Sequence, residues 1–69
     1  MNAADLPPLL TPEQLAELFD VPLGTVRAWR LKDKGPEGFR VGRHVRYKRQ
    51  AVLDYIASME ADEALRRSA

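Results

Sequence analysis

The chain has 69 residues, a formal net charge of +1 and no cysteine. A chain this short forms one small domain, which neither a disulfide nor a thiolate metal site can stabilise. No apolar run approaches the ~20 residues of a membrane span and no secretory signal opens the chain, so we expect a cytoplasmic protein without a membrane partner. The single histidine and the lack of a phosphate-binding loop or nucleophile motif argue against an enzyme, a bound metal and a cofactor.

The first predicted element is a helix over residues 12–19. Thr11 can accept a hydrogen bond from the backbone N–H of Gln14, and the Gln14 side chain can accept one in return. A proline at the first helical position favours the same start. Leu15 and Phe19 share one face at helical spacing, which predicts that both contribute to the core.

A second helix is predicted over residues 23–33, after a break of about three residues. Pro22 causes this break because proline disfavours helical geometry in the residue before it. The gap has the length of the turn in a helix-turn-helix motif, and Val21 would fill the space between the two helices. Helical spacing points Val26 and Trp29 inward, so both are predicted core residues.

The opposite face of the second helix carries small and basic side chains. It is formed by Gly24, Arg27, Ala28 and Leu31, with Thr25 and Lys32 at one margin and Arg30 and Lys34 at the other. Gly24 weakens a helix by ~1 kcal/mol relative to alanine. Alternatively, Gly24 and Ala28 remove bulk so that the helix can approach a groove, and we favour this interpretation because Arg27 lies between them.

A loop at residues 34–38 leads into a predicted β-hairpin over residues 39–47. Apolar residues alternate with polar ones on both sides of a glycine, which is the pattern of two short strands. The predicted inward side is Phe39, Val41, Val45 and Tyr47. The predicted outward side and tip are Arg40, Gly42, Arg43, His44 and Arg46.

The last predicted element is a third helix that begins near residue 48 and buries Val52, Tyr55 and Ile56. The sequence divides into a flexible lead at residues 1–8, a domain at residues 9–59, and a tail at residues 60–69 that either extends the helix or is disordered. The element order predicts a mainly α protein with a small β-hairpin, which is a winged helix-turn-helix.

Positive charge is concentrated in the middle of the chain. Residues 27–49 contain nine of the eleven basic side chains, and both flanks are acidic. A local basic block is typical of a nucleic-acid surface, although it can also be a solvated face. Arginine outnumbers lysine eight to three, which favours contacts to phosphates and guanine edges. The second helix would enter the major groove, and the hairpin would lie along the backbone or in the minor groove.

Two segments resemble a known family. Residues 10–27 (LTPEQLAELFDVPLGTVR) and 39–47 (FRVGRHVRY) resemble small excisionase-type DNA-binding domains of the MerR-like winged helix-turn-helix superfamily. The resemblance implies that Thr25, Arg27 and Ala28 face base edges. It also implies phosphate contacts by Arg30 and Lys32 and wing contacts by Arg43, His44 and Arg46. The family often has serine or asparagine where this chain has Pro22.

The resemblance implies an architectural protein of a phage or an integrative element. Such a protein binds adjacent DNA repeats cooperatively, bends the DNA and directs an integrase toward excision, in the nucleoid of a bacterial or phage-infected cell. The implied partners are double-stranded DNA, an integrase and neighbouring copies. About ten residues follow the third helix, so we expect no long coiled coil and no small-molecule effector.

Several alternatives remain open at the level of sequence. The chain could be a short MerR-like transcriptional regulator, or a protein-interaction module whose basic residues bind an acidic partner. Arg30 could pair with Glu13 or Glu17 instead of with DNA. His44 has no further histidine or cysteine with which to bind a metal, so we interpret it as a turn residue.

Overall fold

Three helices and a small antiparallel sheet make up the fold of a computed structural model, which describes residues 5–68. The elements are β1 (Leu9–Leu10), α1 (Pro12–Phe19), α2 (Leu23–Leu31), β2 (Gly38–Val41), β3 (His44–Lys48) and α3 (Arg49–Ser68). This arrangement confirms the predicted fold class. Residues 1–4 of the expected lead and residue 69 of the expected tail lie outside the described residues.

Helix α1 begins and ends as its sequence predicts. The Thr11 hydroxyl accepts from the backbone N–H of Gln14 at 3.0 Å, and the Gln14 side chain accepts from the Thr11 N–H at 2.9 Å. Two backbone donors at the helix start are therefore satisfied. Asp20 adopts a left-handed conformation (φ 54°) and ends the helix, with its N–H directed at the Ala16 and Glu17 carbonyls.

Helix α2 is held by its inner face. Val26 is buried, and the indole of Trp29 packs edge-on against the ring of Phe19 at a centroid distance of 5.8 Å. Tyr55 from α3 completes an aromatic trio, 6.0 Å from Trp29 and 6.1 Å from Phe19. The helix ends at Leu31, two residues before the predicted end, because the backbone beyond it turns left-handed at Asp33 (φ 55°).

The folded part of the chain begins earlier than the sequence indicates. Leu6, which belongs to the segment expected to be a flexible lead, is buried in the core. The Arg49 backbone N–H donates to the Pro8 carbonyl at 3.0 Å, and the Arg49 guanidinium donates to the Leu6 carbonyl at 3.2 Å. Strand β1, which the sequence did not predict, pairs Leu10 with Tyr47. The sheet therefore has three strands in the order β1-β3-β2.

The register of the hairpin differs from the prediction. Val41 pairs with His44, and Arg40 pairs with Val45. Only two residues form the turn, and the first of them, Gly42, has the positive φ (62°) that a two-residue turn with glycine at its first position allows. The prediction implied a three-residue tip. One residue fewer in the turn reverses which residues of β2 share a face with Val45.

Two predicted core residues are exposed as a consequence. Directly opposite residues of an antiparallel pair share a face, so Phe39 lies on the outer face with Arg46. Phe39 is 37% exposed and Val41 is 52% exposed, so their assignment to the core is wrong. Val45 and Tyr47 face the helices as predicted, Val45 half-buried and Tyr47 buried.

The remaining predicted core residues lie inside or at the edge of one apolar cluster, except for Tyr55, which packs against the rings of Phe19 and Trp29. The buried members are Leu6, Leu10, Leu15, Ala16, Val26, Tyr47 and Val52. Those of the predicted set that are half-buried are Phe19, Val21, Trp29, Val45, Tyr55 and Ile56. A core of this size agrees with a small domain that buries a limited share of its surface.

Helix α3 has two unlike halves. Its first two turns bury Val52 against the sheet, whereas every residue from 57 to 68 is exposed. The helix is continuous to Ser68, so the tail extends the helix, which is one of the two predicted alternatives. Arg67 forms an ion pair with Glu63, one turn earlier, at 3.6 Å. No helix within residues 5–68 combines the length and apolar character needed to cross a bilayer.

Candidate nucleic-acid interface

Arg27 of α2 and Arg43 of the hairpin turn line the same concavity, whose volume is about 430 Å³. The start of α1, the outer face of α2 and strand β3 form its walls. Its lining residues are Thr11, Pro12, Glu13, Arg27, Arg30, Leu31, Arg43, His44, Val45, Arg46 and Tyr47. The second helix and the hairpin therefore present one continuous surface to a ligand.

The concavity is strongly cationic. Four arginines line it, two from α2 and two from the hairpin, which are separated in the chain by residues 32–37. Among the described residues that line it, Glu13 is the sole carboxylate. A recess with one dominant sign of charge concentrates its field and attracts a polyanion.

The four arginines are held differently. The Arg30 guanidinium donates to the Gly38 carbonyl at 3.1 Å and so joins α2 to the base of the hairpin. Arg46 donates to the Val45 carbonyl at 2.8 Å. Within residues 5–68, the guanidinium groups of Arg27 and Arg43 make no hydrogen bond or ion pair. These two keep all their donors available for a ligand.

The alternative pairing of Arg30 with the first helix is absent. Over residues 5–68, Arg30 forms no ion pair with Glu13 or Glu17, and its hydrogen bond to Gly38 replaces both. The carbonyl of Gly38 is local to the hairpin, so this bond fixes the hairpin base rather than the packing of α1 on α2. The sequence could not indicate this partner because a backbone carbonyl carries no side-chain signal.

The N-terminal part of the outer face of α2 is open. Apart from its chain neighbours and the backbone of its own helix, no atom of residues 5–68 lies within 4 Å of where a Cβ of Gly24 would stand. Thr25 and Ala28 are half-buried and Arg27 is exposed. Packing therefore does not require glycine at position 24, and the small face is available to a ligand.

The other basic candidates lie outside this concavity. Lys34 lines a second recess with Arg30 and the 35–38 loop. Lys32 and Arg40 are exposed and line neither recess. Lys32, Lys34 and Arg40 therefore do not line the surface that Arg27 and Arg43 share, and Arg40, predicted to point outward, pairs with Val45 and so lies on the Val45 face of the hairpin.

Sequence reasoning missed part of the lining. Thr11 and Pro12 were interpreted only as a helix start, Glu13 as part of that start or as a partner of Arg30, and Tyr47 only as core. Leu31 carried a signal, since helical spacing places it on the face of Arg27, but it received no role. At 87% it is the most exposed large apolar side chain of the described residues.

Tyr47 forms the wall between the concavity and the core. Burial raises the pKa of its phenol above the ordinary value, and the nearby Arg30 cation offsets part of this rise. The Tyr47 phenol is therefore uncharged at neutral pH. Among residues 5–68 there is no group of three histidine, aspartate or glutamate side chains placed to hold a metal ion.

A tight helix-turn-helix with a hairpin beside its second helix defines a winged helix-turn-helix domain. Residues 9–60 match the protein family described as "Helix-turn-helix domain", and the chain belongs to this family. The family includes excisionase-like DNA-binding proteins and is typically non-enzymatic, so membership indicates DNA binding. Neither a curated protein nor a solved structure matches the chain.

Proposed function

We propose that this protein is a sequence-specific, double-stranded DNA-binding architectural protein of the excisionase type. It binds adjacent repeats cooperatively, bends the DNA, and directs an integrase toward excision. The observation that carries the DNA-binding part is the shared concavity, which is lined by both Arg27 and Arg43, two guanidinium groups without a partner among residues 5–68. The excisionase part is supported by the resemblance of residues 10–27 and 39–47.

The second helix is the element that fits the major groove. A helix with side chains is about 10–12 Å across, and the groove is about 12 Å wide. The small outer face at Gly24 and Ala28 lets the backbone approach base edges. Arg27, whose guanidinium has no partner within the described residues, is then placed for a bidentate contact to guanine.

The proposed roles are divided between the second helix, its flanks and the wing. Base edges are contacted by Gly24, Thr25, Arg27 and Ala28. Phosphates at the flanks are contacted by Arg30, Lys32 and Lys34. The wing contacts the backbone or the minor groove through Arg40, Arg43, His44 and Arg46. The Arg30 bond to Gly38 keeps helix and wing at the spacing that lets one duplex meet both.

Contacts between neighbouring copies are supported by charge complementarity. Residues 54–63 of α3 carry four carboxylates and no cation, and residues 57–68 are exposed. The wing of the next copy has the opposite sign. Bending a short site costs of order 1–6 kcal/mol, an amount that several cooperative copies can offset.

A footprint across the DNA beside the protein's own gene tests the proposal. We expect protection of at least two adjacent repeats, with the second repeat filled at a lower protein concentration than an isolated one. A DNA binder also loses affinity with salt, with a slope of about −0.9 per phosphate contact in a log–log plot. No binding to duplex DNA at low salt would contradict DNA binding altogether and favour a protein-interaction module.

The excisionase role needs a separate measurement. With purified integrase and a substrate that carries both attachment sites, we expect added protein to stimulate excision and to inhibit integration. A duplex with scrambled repeats is the control. Cooperative binding without any effect on recombination, together with footprints on scattered promoters, would contradict the excisionase role and favour a short transcriptional regulator.

A further inference from the structure

We propose that Leu31 is a specificity-determining residue that contacts the C5-methyl group of a thymine in the DNA target. This inference rests on the proposed function, because it requires α2 to lie in the major groove. It predicts that the DNA target contains a thymine near the base pair that Arg27 contacts.

The first observation is that Leu31 is a highly exposed apolar side chain inside the cationic concavity. It is 87% exposed, yet it lines a concavity that also contains four arginines. It does not belong to the core or to the partly buried residues packed against it. Solvation by itself would favour a polar residue at this position, whereas burial against a ligand gives the leucine a favourable role.

The second observation is its position on the helix. Leu31 follows Arg27 by four residues and Ala28 by three, so the three side chains share one face. Four residues advance about 6 Å along a helix, and base pairs are stacked about 3.4 Å apart. With Arg27 on a guanine, Leu31 therefore reaches a base about two steps away.

The chemistry of the major groove leaves one ligand group for this side chain. The groove presents hydrogen-bond donors and acceptors on every base pair, and its apolar group is the C5-methyl of thymine. A leucine makes no hydrogen bond, so it cannot distinguish the polar edges. The cationic wall around Leu31 also matches the phosphates on either side of such a methyl group.

A second exposed leucine in the chain provides a matched control. Leu65 is 70% exposed, but it lies in the projecting half of α3 and not in the concavity. If Leu31 acts only as an exposed apolar residue, the two positions should respond alike to substitution. If it contacts thymine, only Leu31 should respond to the methyl group of the DNA.

The experiment measures binding to single-site duplexes in which thymine is replaced by deoxyuridine, one position at a time. The site is first selected from random duplexes with the full-length protein. We expect replacement at one or two positions to weaken wild-type binding about fourfold, the effect of one buried methyl group. Leu31→Ala should show a similar loss on thymine DNA and no further loss on the deoxyuridine duplex.

Leu65→Ala should keep both the wild-type affinity and the sensitivity to deoxyuridine. Both leucines are exposed, so neither substitution should change the unfolding midpoint. Independent losses from Leu31→Ala and deoxyuridine at every position would overturn the inference. So would a Leu31→Ala defect that appears only on two-site duplexes, because that would place the leucine between copies. Failure of the wild type to bind any duplex would instead overturn the proposed function, and this inference with it.

Discussion

The second helix and the wing border the same concavity, but the fold holds them in different ways. Helix α2 buries Val26 and packs Trp29 into an aromatic trio with residues of α1 and α3. The wing buries Tyr47 at its base, whereas Phe39 on its outer face is exposed. Side-chain packing along its length therefore orients the helix, whereas the wing is anchored at one end.

This difference indicates how the two parts can act on DNA. A packed helix presents its side chains in one geometry, which suits the reading of base edges. A wing that is fixed at Gly38 and Tyr47 leaves the turn at Arg43 free to follow the local shape of a phosphate backbone. The bond from Arg30 to the Gly38 carbonyl links the two parts and keeps them on one side of the molecule.

Removal of the Trp29 indole should lower stability most, because the indole packs in the aromatic trio that orients α2. Trp29→Ala should lower the free energy of unfolding by about 3 kcal/mol, toward the lower end for a large aromatic because Trp29 is half-buried. Thermal or denaturant unfolding measures this. Trp29→Phe, which retains a ring beside Phe19, should lower the free energy of unfolding clearly less. Equal losses in the two variants would show that the trio does not hold the helix.

Crowding the base of the wing should have the next largest effect. A Cβ at Gly38 would stand 2.8 Å from Cε1 of the buried Tyr47 ring, so Gly38→Ala should cost about 1–3 kcal/mol of stability. The matched control is Gly24→Ala, whose Cβ would meet no atom of residues 5–68 beyond its own helix within 4 Å and which should stabilise the helix by up to about 1 kcal/mol. If both substitutions stabilise the protein, the wing does not depend on contact at its base.

The same glycine control separates folding from function. Gly24→Ala should raise the unfolding midpoint and still weaken DNA binding, because the added methyl group lies on the face proposed to approach base edges. Unchanged or improved DNA affinity would show that the small residue is only a weak point of the helix.

Arg27 and Arg43, which have no partner within residues 5–68, allow base contacts to be distinguished from phosphate contacts. Arg27→Ala should lower cognate affinity by about 1–3 kcal/mol and leave most non-specific affinity, as expected for a base contact. Arg43→Ala should weaken binding to all sequences and reduce the salt slope by about one contact. Titrations with cognate and scrambled duplexes at several salt concentrations measure both. Identical behaviour of the two variants would contradict a division of labour between helix and wing.

Loss of the hydrogen bond between α2 and the wing should have a smaller effect on stability. Arg30→Ala removes an exposed hydrogen bond to Gly38 and should lower the free energy of unfolding by about 0.5 kcal/mol. It should also weaken binding to all duplexes. Lys32→Ala removes a neighbouring exposed cation whose side chain makes no hydrogen bond or ion pair within residues 5–68, so it should weaken DNA binding and leave stability unchanged. Equal stability of both variants would show that the bond does not fix the wing.

The smallest expected effect is a pH dependence at the wing base. Burial raises the pKa of Tyr47, so the folded state keeps the phenol neutral while the unfolded state ionises near its ordinary pKa of about 10. This contribution to stability is present below pH 10 and is lost as the pH rises above it. Tyr47→Phe should show a shallower alkaline loss in unfolding experiments. The same alkaline slope in both proteins would contradict this assignment.

The sequence by itself determined the features that depend on near neighbours. The capping of α1 by Thr11 and Gln14, the break before Pro22, and the inward face at Val26 follow from contacts within one helical turn. It also placed Arg27 outward and basic residues on the hairpin. The winged helix-turn-helix class was therefore predictable, because each of its elements carries a local signal.

Only the tertiary structure decided the features that depend on distant partners. The burial of Leu6 and the strand at Leu9–Leu10 rely on β3 and the start of α3, and the bond from Arg49 to Leu6 spans 43 positions. Whether Phe39 faces the core or the solvent depends on whether the hairpin turn has two residues or three. Side chains alternate between the two faces of a strand, so a shift of one residue in the pairing moves each side chain to the other face. A pattern in one strand does not specify its register with another, so pairing in space decided it.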